Sequence, residues 1–274
     1  MNANLSEKTI LVIGAARGIG AALCALLARD GARVVAIDKI PVEAETFIRV
    51  DLSSLDTITS VIDALPGKVD AVAGVAGVPG TLPPETVLCV NFFSQRRLFE
   101  ACIPRLTPNA AAVFVSSITA HRCDWSDKSL EELVTLKDRE ALRKILQSGI
   151  SGADAYTLSK RLLNYWLLSR IPEFAAADVR TNLVSPGPVN TAILSDFETS
   201  MGKERIDASA QLVGRHGTAE EIAAPIHFLL GDASRWVNGI ELKVDGGFHA
   251  LRQAKSQTGE NSGASMKAET QRCS

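Results

Sequence analysis

Residues 9–20 constrain the fold more than any other stretch of the chain. Thr9–Ile13 is a short apolar run of strand type, and Gly14-Ala15-Ala16-Arg17-Gly18-Ile19-Gly20 is a glycine-rich turn. Ile19, Leu23, Leu26 and Leu27 then recur at helical spacing down to Arg29. Gly31 stands where a helix terminator belongs. The alternation continues beyond it. Val34–Ile37 is closed by Asp38 and Phe47–Val50 by Asp51, and Ser53 or Ser54 can cap a helix running to Leu65, stopped by Pro66-Gly67. Val69–Val75, Ala110–Ser116, Val179–Val184 and Ile240–Val244 are further strand-type runs. Helices are expected at Val87–Leu106, at Ala153–Ile171, and up to Leu230 from a capping box formed by Thr218 and Glu221. Strands separated by helices need crossover connections, which cover both faces of a parallel sheet. The expectation is a single α/β domain with a doubly wound parallel sheet over residues 1–250, followed by a polar, mobile or loosely docked tail over residues 251–274.

At 274 residues the chain can bury a substantial core, and 46% hydrophobic with 22% charged residues is the balance of an ordinary soluble protein. A net charge of −2 and a pI near 6.1 leave no electrostatic footprint for nucleic acid or an anionic membrane. Met1–Lys8 is polar and no apolar run reaches membrane-spanning length, so a cytoplasmic protein is expected. The cysteines are Cys24, Cys89, Cys102, Cys123 and Cys273. Their odd number and their spacing fit neither a disulfide framework nor a metal site, and they read as reduced thiols.

A strand that turns through glycines into a helix is an anion site, because backbone N–H groups and the helix dipole face the same point. With Asp38 at the end of the second strand, that site reads as a Rossmann-type dinucleotide cradle. Gly14, Arg17, Gly18, Ile19 and Gly20 would lie against the pyrophosphate, and Asp38 would accept from the ribose hydroxyls and repel a 2′-phosphate. NAD is favoured over NADP on that ground, with Arg17 and Lys39 as contrary basic signals. Asp51 and Leu52 close the third strand where adenine would lie; the plainer role for Asp51 is a helix N-cap.

The other chemical signal is Tyr156-Thr157-Leu158-Ser159-Lys160. In a helix Tyr156 and Lys160 sit one turn apart on one face. A nearby ammonium favours the phenolate, which makes the phenol a group able to exchange a proton with an alcohol or carbonyl oxygen.

The glycine spacing, Asn91, Ser117, Tyr156-x-x-x-Lys160 and Pro186-Gly187, in this order, resemble the short-chain dehydrogenase/reductase family over about Lys8–Gly247. The resemblance implies an oxidoreductase with its site at the carboxyl ends of the strands. Tyr156 would be the acid/base, and Ser117 (with Ser116 as the alternative) the group that polarises the substrate oxygen. Lys160 would hold the nicotinamide ribose, and Asn91 would anchor a water linking Lys160 to solvent. Pro186, Gly187, Val189 and Thr191 would hold the nicotinamide carboxamide. Two positions depart from the family. Ile13 stands in place of the usual Thr. Gly74, a cofactor-side position, stands in place of the Asn that usually opens the motif seen here as Gly74-Val75-Ala76-Gly77.

Between Ser117 and Tyr156 the segment 119–152 is longer than in most of the family and is similar to that of bacterial 3α-hydroxysteroid dehydrogenases and coniferyl-alcohol dehydrogenases. A helix over Leu130–Gln147 is expected there, with Leu133, Val134, Leu142, Ile145 and Leu146 as its apolar stripe. Residues 192–211 read as a lid that turns Ile193, Leu194, Phe197 and Met201 to the substrate. His121, Arg122 and Trp125 fall at the rim, His121 without a catalytic role. The expected function is NAD-dependent oxidation of a bulky apolar alcohol, of aryl or cinnamyl type such as coniferyl alcohol, or a 3-hydroxysteroid, by a homodimer or homotetramer. No metal, nucleic acid or membrane is expected to take part. A carrier-bound 3-ketoacyl reductase using NADPH, and a non-catalytic dinucleotide sensor, are the other readings of the same residues.

Overall fold

The computed structural model describes residues 4–190, 199 and 210–257. Seven parallel strands form one sheet in the order β3-β2-β1-β4-β5-β6-β7. They are β1 (Thr9–Ile13), β2 (Arg33–Asp38), β3 (Thr46–Arg49), β4 (Val69–Gly74), β5 (Leu106–Val115), β6 (Val179–Pro186) and β7 (Glu241–Val244). The inner strands β1, β4 and the second half of β5 are buried along almost every residue, which is why they read as unbroken apolar runs rather than alternating ones. The chain reverses its direction of travel across the sheet between β1 and β4, and in such sheets ligands bind at the carboxyl ends beside that reversal.

Helices α1 (Gly18–Arg29) and α9 (Ala219–Leu230) cover one face and form one apolar core with it. The other face carries α2 (Leu55–Val61), α3 (Pro84–Leu88), α4 (Ser94–Cys102), α7 (Gly152–Ser169) and α8 (Ile171–Ala176), around a second core. Trp166 of α7 is its centre. Its ring meets Phe92, Phe99, Phe114 and Phe174 edge-on at 5.9–6.2 Å between centroids. Such pairs contribute about 1 kcal/mol each beyond the area they bury, so α7 is pinned to β5, α4 and α8 at its C-terminal half.

Several boundaries differ from the sequence reading, each for a local reason. The expected helix Val87–Leu106 is interrupted by a π-turn over Cys89–Phe93 and ends in a 3₁₀ turn over Ile103–Arg105, where Pro104 cannot continue an α-helix. Strand β5 begins earlier than expected, at Leu106, although its first half is only partly covered. The inserted helix is two helices, α5 (Asp127–Thr135) and α6 (Asp138–Gln147), because Leu136 and Lys137 take extended backbone. Leu130, Leu133, Leu142 and Ile145 are buried as the stripe requires, with Val134 and Leu146 packed at its margin. Ion pairs Arg97–Asp138 (3.1 Å) and Arg161–Asp127 (2.6 Å) tie the insertion to α4 and α7. The expected tail begins with α10 (Phe248–Gln257), anchored by the buried Phe248; residues 258–274 lie outside the described residues.

The Thr218–Glu221 capping box is formed reciprocally, as expected, at the start of α9. Thr218→Ala should lower the unfolding free energy by about 1 kcal/mol. In urea titrations this appears as a lower midpoint with an unchanged slope.

Candidate active site

The glycine-rich turn is shaped by contact. Gly14 has φ +93°, and a Cβ there would lie 2.5 Å from the Ala76 Cα in the segment after β4. A Cβ on Gly20 would strike the Gly14 carbonyl oxygen. The turn therefore lies flat between the first turn of α1 and the end of β4, and only glycine fits at either place. Arg17, the N-cap of α1, provides no side-chain cap, so the first N–H groups of the helix lack the usual internal acceptor. That is the arrangement that holds a phosphate.

Asp38, at the end of β2, accepts from the Ala16 N–H (3.0 Å) through one carboxylate oxygen and from the Ile40 N–H (3.0 Å) through the other. It ties the turn to the strand that would carry the ribose. Asp51 accepts from the Ser53 N–H at 2.9 Å, which holds its carboxyl below the usual range. The N-cap of α2 is Ser54 rather than Asp51. Leu52 is buried, and its carbonyl accepts from Ser94 Oγ at 2.7 Å. Beside Asp51 opens a cleft of about 490 Å³ between Lys39, Ile40, Arg49, Thr57 and Val61. Ile40 and Arg49 were not singled out from sequence, since nothing local marks them.

At the ends of β4, β5 and β6, α7 brings the chemical residues together. Ser151 caps α7, and Tyr156 and Lys160 follow on its buried face, 6% and 3% exposed. Tyr156 and Ser117 share a side-chain hydrogen bond. Ser117 Oγ also accepts from the Thr119 N–H (3.2 Å) and hydroxyl (3.0 Å), fixing its rotamer. Ser116 instead faces the Lys160 backbone carbonyl at 3.5 Å, so Ser117 is the serine at the phenol. Lys160 Nζ donates to the Val115 carbonyl at 2.8 Å.

The charge balance differs from the simple expectation of an acidified phenol. Burial pushes Tyr156 up to about 12, against which the Ser117 hydrogen bond acts, and burial brings Lys160 down to about 7. Desolvation outweighs the attraction between two groups one turn apart, because both are enclosed and the charged form of each loses its water.

Asn91 sits in the π-turn, fully buried. Its Oδ1 accepts from the Val78 N–H (2.8 Å), and its Nδ2 donates to the Val78 carbonyl (3.1 Å) and to Ser159 Oγ (3.2 Å). The amide is thus a clamp between the segment after β4 and α7. Gly74 ends β4, and Pro186 ends β6 with Gly187 lying against Asp245. Val189 pairs with Gly217. Thr191 and the lid residues Ile193, Leu194, Phe197 and Met201 lie outside the described residues. His121 Nε2 is 2.9 Å from Glu241 Oε1, which also accepts from Ser185 Oγ at 2.6 Å. This rim histidine is held in a structural pair. Among the described residues no group of His, Cys, Asp and Glu could hold a metal, and no helix is long and apolar enough to cross a membrane.

The Lys160 shift makes stability depend on pH. Its pKa falls from 10.5 unfolded to about 7 folded, so between those values the unfolded chain carries the extra proton. Stability then rises with pH over that window and is flat below it. Tyr156 works oppositely between 10 and about 12, where the folded state keeps the proton. Unfolding free energies of the wild type and Lys160→Met, measured from pH 6 to pH 10, should diverge in favour of the wild type as pH rises.

Two family profiles match the chain: "short chain dehydrogenase" over residues 8–124 and "Enoyl-(Acyl carrier protein) reductase" over residues 145–249. The coniferyl-alcohol dehydrogenase of Pseudomonas sp. (strain HR199 / DSM 7063) is 36% identical over 251 residues, covering 89% of this chain and 97% of its own. The 3α-hydroxysteroid dehydrogenase/carbonyl reductase of Comamonas testosteroni is 28% identical over 88% of this chain and 96% of its own. Among solved structures, the 3α-hydroxysteroid dehydrogenase of Pseudomonas sp. B-0831, complexed with NADH, superposes with a TM-score of 0.76 at 30% identity, covering 90% of this chain and 99% of that one. The seven-stranded parallel sheet agrees with these likenesses, and the chain belongs to the short-chain dehydrogenase/reductase family, as an oxidoreductase acting on CH–OH groups.

Proposed function

We propose that the protein is an NAD-dependent dehydrogenase acting reversibly on a bulky, largely apolar alcohol. An aryl or cinnamyl-type alcohol such as coniferyl alcohol is the first choice, and a 3-hydroxysteroid the second. The observation that carries the reading is the hydrogen bond between Ser117 and Tyr156 on a buried helix face that also presents Lys160.

The residues present fit a dinucleotide. The uncapped start of α1 and the flat turn at Gly14, Gly18, Ile19 and Gly20 suit a pyrophosphate. Asp38 keeps lone pairs for ribose hydroxyls beyond its two backbone donors. Asp51 and Leu52 would lie against adenine, and Pro186, Gly187 and Val189 against the carboxamide, with Thr191 outside the described residues. Bound there, NAD supplies the hydride acceptor. The chain's own part is proton transfer and positioning. Ser117 holds the alcohol oxygen, and Tyr156 takes its proton. Tyr156 does so as the phenolate, so a phenol near 12 must first pass its own proton out along the Lys160 side of the site, and Lys160, one turn away, favours that phenolate while protonated. Asn91 holds the Lys160 side of the site through Val78 and Ser159, and would anchor a water linking Lys160 to solvent.

The choice of substrate rests on the likeness to the coniferyl-alcohol and hydroxysteroid enzymes, and on an insertion whose apolar stripe packs beside α7. The catalytic unit is taken as residues 1–250, working in the cytoplasm as a homodimer or homotetramer.

Dehydrogenation with NAD should be detectable with coniferyl alcohol and stronger than with a 3α-hydroxysteroid; the reverse order moves the protein to the steroid branch. Silence across both classes and other alcohols, with NAD still bound, would return it to a sensor. Tyr156→Phe should lower kcat by about 10²–10⁴ while NADH binding, read by fluorescence, persists. NADP should give a lower kcat/KM than NAD, and Asp38→Ser should narrow that ratio, because it removes the charge that repels a 2′-phosphate.

A further inference from the structure

Gln95 is fully buried in the first turn of α4, yet no element of the proposed chemistry uses it. Its Nε2 reaches three carbonyl oxygens: Ala76 (3.0 Å), Val90 (3.0 Å) and Asn91 (3.1 Å). Two of these belong to the π-turn Cys89–Phe93. A π-turn closes i→i−5 bonds, as between the Ser94 N–H and the Cys89 carbonyl, and the Gln95 amide adds a side-chain donor to two of its other carbonyls. The third carbonyl, Ala76, lies in the segment after β4, between Gly74 and Gly77.

The same segment is held one step further on by Asn91, whose amide grips both polar backbone atoms of Val78. Ala76 and Val78 are therefore pinned on either side of Gly77. A Cβ placed on Gly77 would lie 3.7 Å from Lys160 Nζ and 3.9 Å from Asn91 Oδ1. This backbone is one wall of the Lys160 environment. Gln95 thus reaches the site twice, through the main chain of Asn91 and through Ala76.

The family usually places Asn where this chain has Gly74, but here a Cβ at 74 would strike the Phe114 ring and lie 2.8 Å from Gln95 Oε1. The space next to the end of β4 is filled from α4 and β5 instead. We infer that Gln95 is a positioning residue which holds Ala76–Val78 and the Asn91 turn against Lys160 from α4.

The inference rests on the dehydrogenase reading above, so the wild type is assayed first. A wild type that oxidises no alcohol sinks that reading; an active wild type with unaltered variants sinks this inference alone. In Gln95→Met the volume is nearly kept and the two N–H groups shared among the three carbonyls are lost, while Oε1, which has no partner among the described residues, leaves nothing behind. Three readouts decide: the Kd for NADH, kcat per folded molecule well below the unfolding midpoint, and the pH profile of kcat/KM. Displacing a wall of the site should lower kcat by about 10- to 100-fold. It should also weaken NADH binding and move the apparent pKa of the profile toward the ordinary lysine value, as water reaches Lys160. A merely structural glutamine would lower the unfolding midpoint and leave all three unchanged, and that result overturns the proposal. If Gln95→Met does not fold, Gln95→Asn is measured in the same way, since its shorter amide can stay on the π-turn but falls short of Ala76. Failure of both variants to fold also overturns it, because the residue would then be a requirement for folding rather than a device for the site.

Discussion

The site depends on one contact surface, that of α7 against the carboxyl half of β5. The helix is fixed twice along its length. Trp166 locks its far end among four phenylalanines, and Lys160 locks its near end by donating to the Val115 carbonyl, immediately before the two serines. Between those points the register of helix on strand is settled, and with it the meeting of Tyr156 and Ser117. A tyrosine and a serine far apart in the chain share a hydrogen bond only because an apolar surface elsewhere on the same helix has no other place to go.

That burial has a cost that the chemistry must overcome. Enclosing a phenol and an ammonium together raises one pKa and lowers the other, so both groups drift toward neutrality. Proximity of the two is therefore insufficient to make a base at neutral pH. Preorganisation does more. Ser117 is held by Thr119 and by the phenol, and Asn91 and Gln95 saturate the backbone of the neighbouring wall, so little has to reorganise when charge develops. The π-turn fits this logic: Asn91 lies buried within it, and a buried glutamine one turn later adds a side-chain donor to two of its carbonyls.

The insertion serves the same helix from outside. Helices α5 and α6 cover flanks of α7 and α3 and are joined to the body by Arg161–Asp127 and Arg97–Asp138. In the second pair the carboxylate is largely enclosed, and breaking it would strand a charge, so the bridge defines a place for α6 more than it adds stability.

Sequence alone determined the layered α/β plan, because apolar runs separated by helical periods admit little else, and it located the glycine turn, Asp38, Tyr156 and Lys160 through spacings that carry their own physics. The Thr218 capping box was legible for the same reason: it is a local motif, complete within four residues. Only the tertiary structure decided what depends on partners distant in the chain. Glu241 became the mate of His121, and one expected helix was divided by a π-turn and another by two extended residues. The direction of the pKa shifts at Tyr156 and Lys160 was decided there too, since it turns on how much water is excluded. Gln95 is the sharpest case. Its role lies in a carbonyl 19 residues away and in a glycine whose missing side chain leaves room for it, neither of which has a spacing to read.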